Sequence, residues 1–197
     1  KHMQKKMIEQ FKKIASDIDL LVFSDFNYGC LPDYVVKEMI KLAKEHQVFI
    51  AADSQSSSQI GDISRYKDVD LLTPTEREAR IAERDHNSGL VVLAENLREN
   101  TNAKNILLKL DEEGVLIHAV KEGELGYLTD RISALNISPK DVAGAGDSML
   151  ITSAMTLCLG GVIWQAALIG SAAAALQVSR VGNRPLEVKE LQAAFNG

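Results

Sequence analysis

The chain has 197 residues, of which 46% are hydrophobic and 25% are charged, and its formal net charge is -5. This is the composition of an ordinary globular protein, and the length suits one domain with a sizeable core. The acidic balance gives no basic footprint for nucleic acid or for an anionic membrane surface, and no apolar stretch is long enough to span a bilayer. We therefore expect a cytoplasmic protein whose partners include neither nucleic acid nor membrane.

The opening Lys1-His2-Met3 resembles a remnant of cloning joined to native sequence. We interpret residues 1–197 as a single domain whose native part begins inside a larger protein. Cys30 and Cys158 lie far apart and form no CxxC pair, which predicts two reduced, buried thiols. The four histidines are scattered and show no zinc-site spacing.

The apolar pattern predicts strands and helices in alternation over the first three-quarters of the chain, followed by helices alone. Helices are predicted over residues 4–16, from Pro32 onward, from Pro74 through Ala79, and over 89–99, 145–159, 162–179 and 188–195. Strands are predicted over 20–24, 48–52, 69–73, 105–109 and 115–120, with a short edge strand at 127–128. The continuous apolar strands are typical of a sheet covered on both faces, so the pattern predicts a layered α/β fold with a mostly parallel sheet.

Polar residues follow several of the predicted strands, where ligands bind in open α/β sheets. They are Asp25, Asp53, Thr73-Pro74 and the turn over 109–114. A polar residue is expected after an apolar strand in any case, so each one alone is weak evidence for a site.

A glycine-rich run, Gly144-Ala145-Gly146, immediately precedes a predicted apolar helix. Small residues allow a ligand to approach the backbone closely, and the free N–H groups of a helix start bind anions. Asp147 lies in the first turn and has two interpretations. It caps the helix, or it accepts a proton from a hydroxyl while the N–H groups stabilise a transferring phosphoryl group.

Four segments together resemble the ribokinase-like (PfkB) carbohydrate kinases. Residues 141–148, D-V-A-G-A-G-D-S, resemble the family's D-[ST]-x-G-A-G-D-[ST]; residues 71–79 resemble L-T-P-N-x-x-E-A; residues 109–114 resemble its T-x-G-x-x-G nucleotide turn. Residues 24–29 are similar to the S-D-Y-x-K-G strand end of the heptose-phosphate kinase (ADP-heptose synthase) branch. The segments follow the family's order over nearly the whole chain. The resemblance implies a ribokinase-like fold and ATP-dependent phosphorylation of a sugar or sugar-phosphate hydroxyl.

The resemblance also implies roles for individual residues. Asp147 would be the catalytic base, and Gly144, Ala145 and Gly146 would form the anion hole. The residues implied to bind the nucleotide are Lys109, Asp111, Gly114, Gly170 and Ser171. Those implied to hold cations are Glu78, for Mg²⁺, and Asp141 and Val142, which with residues 179–182 would bind a monovalent cation such as K⁺. Asp25 and Asp53 are candidates for the sugar side.

Several positions depart from the family pattern. Thr75 replaces the usual Asn, Lys109 and Asp111 replace the usual Thr and Gly, Tyr28 replaces a lysine near Asp25, and the loop 182–185 differs. The changes at Thr75, Lys109 and Asp111 favour a second interpretation, a nucleotide-binding protein that no longer phosphorylates and has a regulatory or structural role. A third, an unrelated α/β binding domain, requires four coincident matches.

The family's N-terminal portion, with its G-G-x-x-x-N sugar-binding residues and lid strands, has no counterpart in this sequence. We therefore expect the C-terminal part of a kinase, which keeps the ATP side and is inactive by itself. The sheet edge and apolar surface left uncovered would favour a homo-oligomer. The expected partners are a nucleotide and a small-molecule sugar or sugar phosphate.

Overall fold

A six-stranded sheet lies between two layers of helices in the computed structural model, which describes residues 2–56, 60–121, 126–136 and 138–196. The strands are β1 (Leu20–Asp25), β2 (Phe49–Ser54), β3 (Leu71–Leu72), β4 (Asn105–Lys109), β5 (Val115–Val120) and β6 (Tyr127–Ile132). The helices are α1 (His2–Ile14), α2 (Asp33–Glu45), α3 (Glu76–Glu83), α4 (Leu90–Thr101), α5 (Ala145–Cys158), α6 (Ile163–Val178) and α7 (Val188–Ala193).

The sheet has the strand order β1-β2-β3-β4-β5-β6. The strands β1 to β4 are parallel, and β5 and β6 continue the sheet in antiparallel fashion. The predicted layered α/β fold with a mostly parallel sheet is therefore confirmed. Because β1 to β4 run in the same direction, their carboxyl ends meet at one edge of the sheet, and this edge carries the site described below.

Alternation of side chains along each strand divides the core between the two faces of the sheet. Ala51, Leu71 and Leu107 face α5 and α6. Their neighbours Ala52 and Leu72 face the helices α1 to α4. Both faces are buried, which explains why the strands are continuous apolar runs rather than alternating ones.

The hairpin between β4 and β5 depends on Gly114. Its φ is +99°, and a side chain at this position would collide with the backbone carbonyl of Ile132. The Leu110 N–H donates to the Gly114 carbonyl at 2.8 Å, which closes the turn. The turn predicted over residues 109–114 is therefore present.

The cysteines are free thiols, but they are not both buried as the sequence suggested. Cys30 is exposed because it lies in the loop between β1 and α2. Cys158 is half-buried at the end of α5, where its thiol donates to the Asp19 carbonyl at 3.4 Å. No described helix is both long and apolar enough to cross a membrane.

The helices α5 and α6 pack closely at Gly170. A Cβ on Gly170 would collide with the hydroxyl of Ser153 and would lie 3.2 Å from Cγ of Met149. The same hydroxyl donates to the Ala166 carbonyl at 2.9 Å. The close approach of the two helices therefore requires glycine at this position.

We expect Gly170→Ala to lower the free energy of unfolding by about 1–3 kcal/mol, because the added methyl group overpacks a tight contact. Ser153→Ala removes the hydroxyl that the methyl group meets, so the double variant should be more stable than the sum of the two single effects predicts. Urea unfolding of the three variants measures this coupling. Strictly additive losses would show that Gly170 and Ser153 do not share the contact.

Candidate active site

Three polar side chains share the face of the sheet that is covered by α5. Ser24 in β1 lies opposite Asp53 in β2 in the parallel register, and Lys109 ends β4. Asp53 and Lys109 are each two residues beyond a core residue of this face, so they point to the same side of the sheet. The carboxyl edge of the sheet thus presents a hydroxyl, a carboxylate and an ammonium group to the start of α5.

Asp53 and Lys109 form a buried ion pair. Lys109 Nζ lies 2.7 Å from Asp53 Oδ2, and the side chains are 14% and 1% exposed. The other carboxylate oxygen accepts from the Ser54 N–H at 3.0 Å. The pKa of Asp53 is raised above its ordinary value, chiefly because burial disfavours the charged form; Lys109 opposes this shift and the nearby Glu78 adds to it.

The start of α5 faces this ion pair. Gly144 is the N-cap residue with φ +79°, and a side chain there would collide with the amide oxygen of Asn183. A Cβ on Gly146 would lie 3.2 Å from Lys109 Nζ and 3.7 Å from Asp53 Oδ2. Since the first N–H groups of a helix have no partner within the helix, these N–H groups and the Lys109 ammonium are donors on the same side of the glycine run.

Asp147 is half-buried in the first turn of α5. Its Oδ1 accepts a hydrogen bond from Ser24 Oγ at 2.9 Å. The N-cap residue Gly144 has no side chain with which to cap the helix. The carboxylate of Asp147 is thus fixed beside the helix start by a contact with β1.

Glu78 and Thr75 form a capping box at the start of α3. Thr75 Oγ1 accepts from the Glu78 N–H at 3.2 Å, and Glu78 Oε2 accepts from the Thr75 N–H at 2.7 Å. Glu78 Oε1 accepts from the Ser56 N–H at 2.9 Å, and the residue is 7% exposed. Two backbone donors therefore stabilise a buried carboxylate close enough to Asp53 to influence its charge.

Asp141 joins the loop before the glycine run to the loop after α6. Its Oδ1 accepts from the Ala143 N–H at 3.0 Å, and its Oδ2 accepts from the Gly182 N–H at 2.9 Å. Val142 is 71% exposed. Gln177 lies beneath both loops and is 1% exposed; its Nε2 donates to the Ala143 carbonyl at 3.1 Å.

Asp25 lies on the opposite face of the sheet, away from α5. Its carboxylate pairs with Arg65 at 2.6 Å and accepts from the Tyr66 hydroxyl at 2.9 Å. Phe23, two residues earlier, belongs to the core beneath α1 to α4. The structure does not bring Asp25 together with Asp53, and its role on the sugar side stays a prediction.

The remaining residues predicted to bind nucleotide fall into two groups. Asp111 is exposed, with φ +51°, and Gly114 closes the same hairpin turn next to Lys109. Gly170 and Ser171 are buried in α6, and Gly170 packs against α5. The structure therefore places only the first group beside Lys109, and a nucleotide role for any of them stays a prediction.

Comparison with protein families identifies the family of this chain. The family described as pfkB family carbohydrate kinase matches residues 1–189. The chain belongs to this family. The matched residues include the glycine run and Asp147, whose roles stay predictions.

Two solved structures share the fold of this pfkB family member. Phosphofructokinase-2 from Escherichia coli in complex with potassium superposes with a TM-score of 0.77 at 17% identity, covering 96% of this chain and 61% of that one. Ribokinase from Arabidopsis thaliana, complexed with ribose and ATP, gives a TM-score of 0.76 at 18% identity, covering 96% and 59%. At these identities the likeness establishes the fold alone.

Among curated pfkB-like relatives, the bifunctional protein HldE of Helicobacter pylori (strain HPAG1) is 27% identical over 199 residues. The alignment covers 98% of this chain and 40% of that protein. The chain thus spans less than half the length of this relative.

Of the described carboxylates in this pfkB member, Glu78 is the one that fits a role beside Mg²⁺. Among the described residues, no group of three or more His, Cys, Asp or Glu is arranged to hold a metal. Mg²⁺ usually keeps several waters and takes one or two carboxylates together with substrate phosphates. Glu78, buried and oriented by two backbone N–H groups, fits the role of a carboxylate that orders those waters.

A monovalent cation at Asp141 and Val142 does not fit the arrangement. Both Asp141 oxygens accept backbone N–H groups, and the Ala143 and Gly182 carbonyls accept the Gln177 amide at 3.1 and 3.4 Å. The Gln177 amide nitrogen therefore lies among the oxygens of these two loops, in the space that a cation would need. No step below depends on one.

Ser24, Gln177 and Asn183 are site residues that the sequence reasoning missed. Ser24 could have been found, because it is the residue of β1 that lies opposite Asp53 once the two strands are aligned. The capping box could also have been found, since Thr75 and Glu78 have the S/T-x-x-E spacing. Nothing in the local sequence signals that Gln177 and Asn183 meet the glycine run.

The carboxylate of Asp141 predicts a pH dependence. Hydrogen bonds from Ala143 N–H and then Gly182 N–H lower its pKa below the ordinary 3.8. A lowered pKa in the folded state contributes stability above the unfolded value, and this is lost as the pH falls through the folded pKa. Asp141→Asn should therefore lower the melting temperature at neutral pH, and the difference from the unmodified chain should shrink as the pH falls below the ordinary Asp pKa of 3.8. Thermal melts across this range test it; an equal gap at every pH would contradict it.

Proposed function

We propose that the protein to which this chain belongs transfers the γ-phosphoryl group of ATP to a hydroxyl of a sugar or sugar phosphate. The observation that carries the proposal is the position of Asp147, a carboxylate fixed by Ser24 at the start of α5, where free N–H groups can bind an anion. A base within reach of the acceptor hydroxyl and donors directed at the phosphoryl group are the two requirements of this reaction. Membership of the pfkB family and the ATP and ribose in the Arabidopsis ribokinase complex support it.

In the proposed reaction, the acceptor hydroxyl oxygen forms a bond to the γ-phosphorus, and the bond from that phosphorus to the β–γ bridging oxygen breaks. ADP leaves, and the hydroxyl proton passes to the Asp147 carboxylate. The N–H groups at the start of α5 stabilise the charge on the transferring group. When bound, Mg²⁺ would neutralise phosphate charge next to Glu78.

Heptose phosphates are the proposed substrate class, as in the heptose-phosphate kinase branch that the sequence resembles. It is supported by the Ser24-Asp25-Phe26-Asn27-Tyr28-Gly29 segment, and relatives named HldE match 98% of the chain. Tyr28, in place of lysine, weakens the case for the phosphate group of such a substrate. A sugar without a phosphate is therefore the alternative within the same proposal.

We further propose that residues 1–197 act as one domain and that the chain alone binds nucleotide without phosphorylating sugar. The support is its coverage of 40% of the HldE relative and 59% of the Arabidopsis ribokinase. Self-association is also proposed, because β1 is an edge strand of the described sheet.

The second candidate function is nucleotide binding without catalysis. Two observations favour it. Lys109 is engaged by Asp53, and Asp111 puts a further negative charge in the turn where the nucleotide is expected. Carboxylates near ATP phosphates repel them unless a cation intervenes.

Replacing Asp147 by Asn in the full-length protein separates the two functions. We expect kcat for sugar phosphorylation to fall by roughly 10²- to 10⁴-fold while nucleotide affinity is kept, because only the proton acceptor is lost. Steady-state assays with a panel of sugars and sugar phosphates, together with calorimetric ATP binding, measure both quantities. Asp130→Asn in β6, an exposed carboxylate, is the control.

Full activity in Asp147→Asn would remove Asp147 from the reaction. An unmodified protein that binds ATP but turns over none of the acceptors would instead support the second function.

A further inference from the structure

A buried ion pair stands where the transferring phosphoryl group is expected. The Asp53 and Lys109 side chains lie 2.7 Å apart and are 1% and 14% exposed. They come from the ends of β2 and β4 and lie across the end of β3 between them. Burying two charges has a desolvation cost, so an ion pair of this kind adds little stability over a well-packed apolar pair. Its position at the start of α5 suggests that the pair serves ligand binding rather than stability.

Thr73, which follows β3 between β2 and β4, carries a buried hydroxyl without a hydrogen-bond partner among the described residues. The residue is fully buried. It lies two residues beyond Leu71, so it belongs to the same face as Asp53 and Lys109. Buried hydroxyl groups are nearly always hydrogen-bonded, and an unsatisfied one beside an ion pair points to an incoming polar ligand.

We propose that Lys109 is a phosphate-binding cation that Asp53 neutralises while the site is empty. This inference rests on the proposed function, since it takes the ligand to be the phosphate chain of a nucleotide. The Lys109 ammonium carries three N–H donors, and Asp53 takes one of them. The remaining donors lie next to Gly146, where a phosphate at the start of α5 would meet both the ammonium and the helix N–H groups.

Lys109 favours phosphate binding in this arrangement, whereas Asp53 opposes it. Its carboxylate holds the ammonium at the helix start, and its negative charge opposes the approach of a phosphate. Asp53 thus makes the empty site neutral and weakens its affinity for anions. Removal of Lys109 and removal of Asp53 should therefore change anion binding in opposite directions.

The test is calorimetric binding of ATP, inorganic tripolyphosphate and adenosine to the 197-residue chain and to the full-length protein. We expect Lys109→Met to weaken ATP and tripolyphosphate binding by roughly 10- to 100-fold, as for loss of one charge-assisted hydrogen bond, and to leave adenosine binding unchanged. Asp53→Asn should bind tripolyphosphate more tightly than the unmodified protein, and equal or weaker binding would contradict the neutralising role of Asp53.

Two further variants distinguish a phosphate-binding role of the Asp53–Lys109 pair from a purely structural role. Lys104 pairs with Asp70 at the same 2.7 Å distance at the opposite end of β4, so Lys104→Met is a matched control that should leave anion binding unchanged. The double variant Asp53→Asn/Lys109→Met leaves no unpaired buried charge. It should bind tripolyphosphate as weakly as Lys109→Met even where its melting temperature recovers.

The outcomes are distinct. Equal tripolyphosphate binding by Lys109→Met and the unmodified protein, or recovery of binding in the double variant, overturns this inference and leaves the proposed function standing. Absence of ATP binding in the unmodified protein overturns both.

A second inference rests on a separate observation, the amide of Gln177. Its Nε2 lies among three oxygens, the carbonyls of Ala143 and Gly182 and Oδ1 of Asn183, at 3.1, 3.4 and 3.5 Å. Its Oε1 accepts from Arg180 at 3.1 Å, which fixes which end of the amide carries the nitrogen. A donor surrounded by carbonyl oxygens occupies the place that a monovalent cation would need.

We infer that the Gln177 amide replaces a monovalent cation in holding the two loops beside the glycine run, so that potassium is not required. Melting temperatures in potassium, sodium and choline chloride at matched ionic strength test this without an activity assay. The unmodified chain should show no potassium-specific shift, whereas Gln177→Ala frees the oxygens and should gain one. A potassium-specific rise in the unmodified chain, or none in Gln177→Ala, would overturn the inference.

Discussion

The parallel register of β1 to β4 is the constraint on which the site depends. It brings the carboxyl ends of the strands to one edge and directs Ser24, Asp53 and Lys109 to one face. The α5 helix packs on that face, so its first turn meets all three side chains. A one-residue slip of β1 would exchange Ser24 for Asp25 and leave Asp147 without its hydrogen bond.

Each buried carboxylate near this edge has a partner that compensates its charge. Asp53 is paired with Lys109, and Glu78 is held by two backbone N–H groups. Asp25, on the other face, is paired with Arg65. Each carboxylate is compensated, as the cost of an unpaired buried charge requires. Of these two ion pairs, the Asp53–Lys109 pair is the one that adjoins the start of α5, and a phosphate-binding role is therefore proposed for it.

Some features of this sequence carry more information about the structure than others. The runs at β1 and β2 were predicted to within about two residues, because a continuous apolar segment between polar ones has few alternatives. The strand β6 extends over Tyr127–Ile132, longer than the two residues predicted, because its pairing with β5 rather than its own apolar pattern holds it in the sheet. Cys30 was expected to be buried, and it is exposed in a loop whose path the residue type does not indicate.

The sequence by itself determined the elements, the layered α/β class and the glycine run followed by Asp147, since these depend on local composition and spacing. It also carried the resemblance that the family comparison confirmed. Only the tertiary structure decided which strand-end residues share a face, since this depends on pairing between strands that lie dozens of residues apart. The contact of Lys109 with Asp53, 56 positions away, and the contact of Gln177 with Ala143 arise in the same way. Such contacts form through packing of separate elements, and no local pattern encodes them.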